Sequence, residues 1–444
     1  MRWIGRAENN GWGMQGKFNS FQKTMLQWNE LHPYNAVHVA RIPMALDAER
    51  LQHSLRVGLE QNGLSRLTLD RRDCSYSYQP GPPPGEIPIL SDEKDTGRAL
   101  EAELERQINT PFDLTPGFTP FRFFALADND SFLLGVAYFH AVADGESIVV
   151  LLRHLVRCYR NQGEPALSEF TAYPGDRAYL LRHHAGVAVR KLLAFPGQMR
   201  RMRHSSRPRY RDAADFENGF QWFTLSAEQW QAVVVAGKDW NVTVNDLLLA
   251  LLLKSIAPLA AGRLTARKRR DISIGCIVNL RKQLNIDSTR VFGLFLGSFI
   301  VTQAVSDGVS LRKLAGDIRD ETMAIKRRRL FLATPIELGL GRVVVRMFSP
   351  ERRKKFYQKN YPLWGGLTNM NLNSLWDQSD EAYPLDYLRG VSTGPATPLA
   401  FSVTTVGDHT NVGVSYRATV YSPGEIRSVQ DCFRREIEQL HVSV

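Results

Sequence analysis

The chain has 444 residues, 43% of them hydrophobic and 23% charged, with a formal net charge of +11. At roughly 100–200 residues per domain this length implies two domains or two large lobes, each able to bury a core. The longest clean apolar run, Leu247 to Leu253, stops at Lys254, short of the roughly 18–20 residues that cross a bilayer, and the first ten residues lack the apolar core of a signal peptide. The four cysteines (Cys74, Cys158, Cys276 and Cys432) form no Cys-x-x-Cys pair. That spacing argues against a disulfide framework or a zinc site and points to a reducing, cytoplasmic setting. The positive excess favours an acidic partner.

In chain order, the β-branched run Tyr34 to Ile42 predicts a strand. Asp47 then caps a helix from Ala48 to about Gln61, which Asn62-Gly63 ends. Gln79 to Pro88, rich in Pro and Gly, reads as a loop. Phe121 to Leu126 and Phe132 to Phe139 read as strands joined by a turn at Asp128-Asn129-Asp130, the second apolar on both faces like a central strand. The next helix carries Ile148, Leu151, Leu152, Leu155, Val156 and Tyr159 on one face. From about Tyr173 to Arg211 basic residues crowd around Pro196-Gly197, and the connection between lobes is placed here.

The second half opens with strand-like Phe220 to Leu225, then a helix near Val244 with the capping-box spacing Thr243-Val244-Asn245-Asp246. Further strands are predicted at Ile272 to Val278, Phe295 to Thr302, Leu399 to Val406 and Val412 to Ala418, with Gly407-Asp408-His409 joining the last two. A final helix has Ser422 as cap and Pro423 in its first position. Strands and helices mix in both halves, so the fold class is α/β or α+β. The division reads as residues 1–175, a basic connection at 176–211, and a second lobe at 212–444.

One constellation carries chemistry. A buried strand delivers His140 to its end, the compact residues Ala141, Val142 and Ala143 allow a tight turn, Asp144 sits where the next helix is capped, and Gly145 follows. An imidazole held at a sheet edge suits proton abstraction, because its unperturbed pKa lies near neutrality. On local pattern alone, the same residues also fit a structural histidine followed by a cap and a turn.

His140-Ala141-Val142-Ala143-Asp144-Gly145 resembles the His-x-x-x-Asp-Gly motif of the CoA-dependent acyltransferase superfamily, which includes condensation domains, chloramphenicol acetyltransferase and wax ester synthase/diacylglycerol acyltransferases. Thr243 to Ala250 is similar to a helix start in the second lobe of such proteins. Val278-Asn279-Leu280-Arg281 resembles their Asn-Leu-Arg segment, and Phe292 to Gly297 their following strand entry, with Leu294 in place of Asn. Thr368-Asn369-Met370 is a weaker match to a Ser-Asn segment, and Phe139 replaces the first His of the two-His motif.

The resemblance implies two chloramphenicol-acetyltransferase-like lobes arranged as a V, with a tunnel between them. It implies His140 as general base and places Asp144, the second candidate catalytic residue, in a pair with Arg281 that holds the motif loop, with Gly145 leaving room for a thioester arm. The donor would be acyl-CoA or a phosphopantetheinyl carrier protein acting as co-substrate, with no tightly bound cofactor or metal, and the acceptor a hydroxyl or amine. Direct transfer in a ternary complex is expected as the simpler course, with no covalent acyl-serine intermediate.

Two other readings stay open. The basic, apolar-rich segments Ala178 to Met202 and Met347 to Tyr357 could lie on an anionic inner membrane surface, as in a wax-ester or glycerolipid O-acyltransferase, or pack as solvated helices. A non-catalytic platform binding an acidic acyl carrier protein is the other. Basic patches at Arg263 to Arg270 and Lys326 to Arg329 come with no nucleic-acid recognition motif, so nucleic-acid binding is not expected. His183-His184 lack further ligands at metal-binding spacing, and His32, His38 and His409 could line a tunnel without the sequence placing them.

Overall fold

The computed structural model describes residues 14–442 apart from 82–84, 91–94, 129, 162–170, 173–176 and 288. The first ten residues, Asn129 and the opening of the basic run at Tyr173 therefore lie outside the described residues, as do the side chains of His183 and His184.

Two mixed sheets organise the molecule. The first has five strands in the order Asp386–Val391, Asn35–Ile42, Ser131–Phe139, Phe121–Asp128, Ile89–Leu90. Its centre is the predicted hairpin, with Asp128 opposite Ser131 and Phe121 opposite Tyr138. Seven consecutive residues from Leu133 to Phe139 are buried, as a central strand covered on both faces requires. The helices Ala48–Gln61 and Gly145–Arg160 pack together on one face, Asp47 and Asp144 accepting from Arg50 N and Ser147 N as their caps.

The second sheet has six strands in the order Leu296–Gln303, Ile272–Asn279, Leu363–Asn371, Leu399–Val406, His409–Arg417, Asn218–Leu225. The predicted capping box is present at Thr243: its hydroxyl accepts from Asp246 N, and Asp246 Oδ2 accepts from Thr243 N. The helical stretch Val244–Arg263 is long and apolar enough to cross a membrane by composition. Here Leu247 to Leu253 are fully buried, and their helix packs against Leu311–Arg327 and Pro423–Val442 in the core of this lobe.

Three features differ from the sequence reading. Leu363–Asn371, a strand inside the second sheet, was not anticipated; its Gly365, Gly366 and asparagines give no strand-like pattern. Asp386–Val391 pairs antiparallel with Asn35–Ile42 although it lies far beyond residue 212, so sheet membership does not follow the division of the chain drawn there. In the basic run, where the connection is centred on Pro196-Gly197, the helix that the solvated-helix reading allows, Arg177–His204, continues unbroken through Pro196. Strong helix formers (Leu, Ala, Arg, Lys, Met) flank that proline on both sides and outweigh its missing N–H.

The sheets meet where the strand Asp386–Val391, which crosses over to the first sheet, passes behind the hairpin of Leu399–Val406 and His409–Arg417. A Cβ on Gly413 would fall on the backbone carbonyl of Arg389, and one on Gly390 would lie 2.9 Å from the Phe220 ring. Only residues without side chains let the two backbones approach so closely.

Candidate active site

His140 follows directly on the strand Ser131–Phe139, and its N–H donates to Tyr34 O at 3.2 Å. The turn beyond it is closed by Val142 N donating to Phe139 O (3.0 Å) and tied down by Gln22 Nε2 donating to Ala141 O (2.9 Å). The imidazole stacks on Tyr34, with centroids 5.5 Å apart and planes at 21°, and meets Tyr138 edge-on at 5.6 Å. Its Nδ1 lies 3.1 Å from Ala143 O, an acceptor only, which assigns the ring proton to Nδ1. Nε2 then carries the lone pair, and no described residue hydrogen-bonds to it. Burial pushes the His140 pKa down to about 4, against raising contributions from the Ala143 carbonyl and Asp144. The ring is therefore neutral near pH 7.

The side chain is 8% exposed, and that exposure opens into a cavity of about 950 Å³. Both sheets contribute walls: Ala36, His38 and Tyr138 from the first, Ile277, Ser298, Thr368 and Phe401 from the second. The helices Arg177–His204 and Thr334–Arg346 line its outer part through Leu192, Phe195, Ile336 and Leu340. The imidazole is thus presented to open space between the lobes and is not sealed in packing.

Asp144 lies at the cavity wall next to Gly145, but it is fully buried and its carboxylate is taken up by the second lobe. Arg281 from the second lobe binds it through both oxygens, Nη2 to Oδ1 at 3.0 Å and Nε to Oδ2 at 3.2 Å. Phe295 N donates to Oδ2 (3.1 Å), and Asp144 N donates to Gly293 O (2.9 Å). Arg281 also donates to Val291 O and lies over the Phe295 ring. The Asn-Leu-Arg segment and the Phe292–Gly297 stretch therefore converge on the motif loop. Asp144 holds that loop and caps its helix, both of its oxygens engaged by protein donors.

Ser147 completes this junction and was missed from sequence. Its hydroxyl accepts from Arg281 Nη2 (2.7 Å) and Gly293 N (3.0 Å) and donates to Gly293 O (2.9 Å). A serine in the first turn after an aspartate cap has no local signal beyond helix-start composition.

Gly145 lines the cavity, and a Cβ there would lie 2.5 Å from Met370 Cε and 3.5 Å from both Arg389 Nη1 and His38 Cε1. His38 also lines the cavity, its Nδ1 2.7 Å from the Tyr387 hydroxyl; burial, then the charge of Arg389, push its pKa well down. His409 is exposed on the last hairpin and does not line it. Among the described residues no group of three His, Cys, Asp or Glu side chains could hold a metal ion.

A family model for the condensation domain matches residues 17–442. The chain belongs to the condensation-domain family. Its fold is shared with the first condensation domain of the calcium-dependent antibiotic synthetase, solved with a substrate analogue (17% identity, 96% of this chain and 97% of that one, TM-score 0.70). It is shared too with the epimerization domain from the third module of tyrocidine synthetase B (15% identity, 96% and 96%, TM-score 0.65). A third is the EpoB cyclization-docking bidomain from Sorangium cellulosum (13% identity, 96% and 85%, TM-score 0.69). No curated protein matches the sequence. Condensation domains join carrier-tethered substrates through amide or ester bonds, so a carrier protein is the general class of partner.

Proposed function

We propose that this condensation-domain protein transfers an acyl group from a thioester donor to a hydroxyl or amine, with His140 as general base. The observation that carries this reading is the ring itself: Nδ1 tethered to Ala143 O, Nε2 unpartnered among the described residues, on a cavity lined by both lobes. The acceptor O–H or N–H gives its proton to Nε2 as its lone pair attacks the thioester carbonyl carbon. Collapse of the tetrahedral species breaks the C–S bond, and the imidazolium returns the proton to the leaving thiolate. General-base assistance contributes about 10²–10⁴-fold, and positioning of both substrates in one cavity adds to it. The donor is a phosphopantetheinyl carrier protein or acyl-CoA; a charge of +11 complements an acidic carrier.

The test is thiol release from acyl-CoA and acyl-carrier donors in the presence of alcohol and amine acceptors. Wild type turns over, and His140→Ala falls by at least about 10²-fold. Equal turnover by the variant removes the mechanism, and tight carrier binding without transfer by wild type points to a non-catalytic platform.

One observation favours a membrane-associated version of this activity. Nine of the twelve large apolar side chains exposed among the described residues lie on the two helices that line the outer cavity. They are Val189, Leu192, Leu193 and Phe195 on one, and Ile336, Leu340, Val343, Val344 and Met347 on or at the end of the other. Lys191 and Glu337 join these helices at 2.6 Å, and exposed Arg190, Arg200, Arg203 and Arg346 surround the apolar residues. Such a face suits an anionic lipid surface and an apolar substrate entering from it. Co-sedimentation with anionic vesicles, absent with zwitterionic ones and lost in Leu192→Ser/Leu340→Ser, tests this version.

A further inference from the structure

The cavity holds a second charged group that the acyl-transfer chemistry above does not use. Arg389 sits on the crossover strand, is 6% exposed, and lines the cavity. Its Nε donates to Thr404 Oγ1 and its Nη2 to Val403 O, both at 2.7 Å, which fixes the guanidinium plane. Nη1 has no hydrogen-bond partner among the described residues and points to the space beside Gly145, 3.5 Å from where a Cβ there would lie. Burial lowers its pKa to about 10, against smaller raising contributions from Tyr138 and Tyr387, and no described carboxylate forms an ion pair with it. Asp144 and Glu146, which line the same cavity, are both engaged by Arg281.

A buried guanidinium without a counter-ion is costly unless something else supplies the charge. Gly145 is also the first residue of a 16-residue helix, whose N-terminal end carries positive partial charge. The rest of the wall is largely apolar, with Met25, Trp28, Ile277, Phe299, Met370 and Phe401.

We infer that Arg389 and the adjacent helix start form a carboxylate subsite, so that the acceptor is a hydroxy or amino acid with an apolar chain. The inference rests on the acyl-transfer reading for which substrate is held: a monocarboxylic donor has spent its acid in its thioester, and a carrier-tethered acceptor would have spent its own too, so the free carboxylate belongs to an untethered acceptor. Arg389 Nη1 donates to that carboxylate and orients the hydroxyl or amine toward His140 Nε2. Arg389 and His140 line one cavity, and the charge of Arg389 lowers the His140 pKa, as expected of neighbours.

Calorimetric titration of the full chain with 3-hydroxyoctanoate and its methyl ester tests the subsite without requiring turnover. Wild type and His140→Ala bind the acid at least about tenfold more tightly than the ester, the scale of one charge-assisted hydrogen bond. Arg389→Gln abolishes the preference and Arg389→Lys restores part of it. Equal binding of acid and ester by wild type overturns the subsite, and so does an acid preference that survives in Arg389→Gln. Should Arg389→Gln not fold, the comparison on wild type still decides. A uniform loss of turnover in Arg389→Gln for acidic and neutral acceptors, without any binding preference, also overturns it and reassigns the arginine to the transition-state oxyanion. Absence of acyl transfer by wild type sinks the activity alone and leaves the binding result standing.

Discussion

Arg281 of the second lobe grips both carboxylate oxygens of Asp144 in the first, at 3.0 and 3.2 Å, with both side chains shielded from solvent. The pair welds the loop that carries His140 to the opposite lobe. In the proposed reaction the motif aspartate would act as a positioning residue, through the loop that carries the histidine.

Breaking the pair separates its roles. Asn at 144 keeps a cap for Ser147 N but leaves Arg281 only the more distant Glu146 carboxylate, at 3.7 Å, as counter-charge, so Asp144→Asn is expected to lose up to about 3–5 kcal/mol of stability. Arg281→Ala strands Asp144 and loses a similar amount. Chemical denaturation of both single variants and the double variant measures the coupling. Losses that simply add would show that the two groups do not act as a unit.

Acid titration probes the other side of the loop. With a pKa near 4, His140 stays unprotonated at pH values where a free imidazole is largely charged. The acidic limb of the kcat/KM profile is expected near pH 4, and nitrogen-resolved NMR of labelled histidine reports the same titration. A limb at about 6.5 would mean that the ring is solvated. The linkage follows in sign: the unfolded chain binds this proton more readily than the folded one. Stability from this group is complete above about pH 6.5 and is lost as pH falls toward about 4.

The close approach of the two sheets makes Gly413 sensitive. Any side chain there meets backbone, the Arg389 carbonyl, which cannot swing aside. Gly413→Ala is expected to cost about 1–3 kcal/mol and to lower acyl transfer, because relief of the overlap moves the strand that carries Arg389. Gly262→Ala, with open space at its Cβ, is the matched control and should change stability by no more than about 0.5 kcal/mol. Thermal melts of the two variants decide the point.

Ser147 offers a finer test of the junction. Ser147→Ala removes the hydroxyl that takes Arg281 Nη2 and Gly293 N, leaving the Gly293 N–H unpaired in a buried place. A loss of about 1–3 kcal/mol is expected, with unchanged affinity for a carrier protein. A variant as stable as wild type would mean that water replaces the hydroxyl.

Local signals in the sequence were enough for much of the architecture. Asp47, Thr243 with Asp246, and Ser422 with Pro423 announce helix starts because a cap is a contact within a few residues. The strand Ser131–Phe139 is legible because a strand buried on both faces has few polar residues to offer. The motif from His140 to Gly145 was legible through its turn and cap chemistry, and the resemblance it carries led to Arg281.

Other features belong to no local segment. Asp386–Val391 mixes Asp, Arg and Gly in six residues and becomes a strand because Asn35–Ile42, some 350 positions earlier, offers it an edge. Arg389 looks in sequence like any surface arginine; only the crossing of one lobe's segment into the other lobe's sheet buries it beside Gly145. The chain alone fixed helix starts, a central strand and a histidine at its end, since those depend on neighbours within a turn. Which charges were stripped of water, and which found partners, depended on contacts between distant residues, and only the assembled lobes supply those.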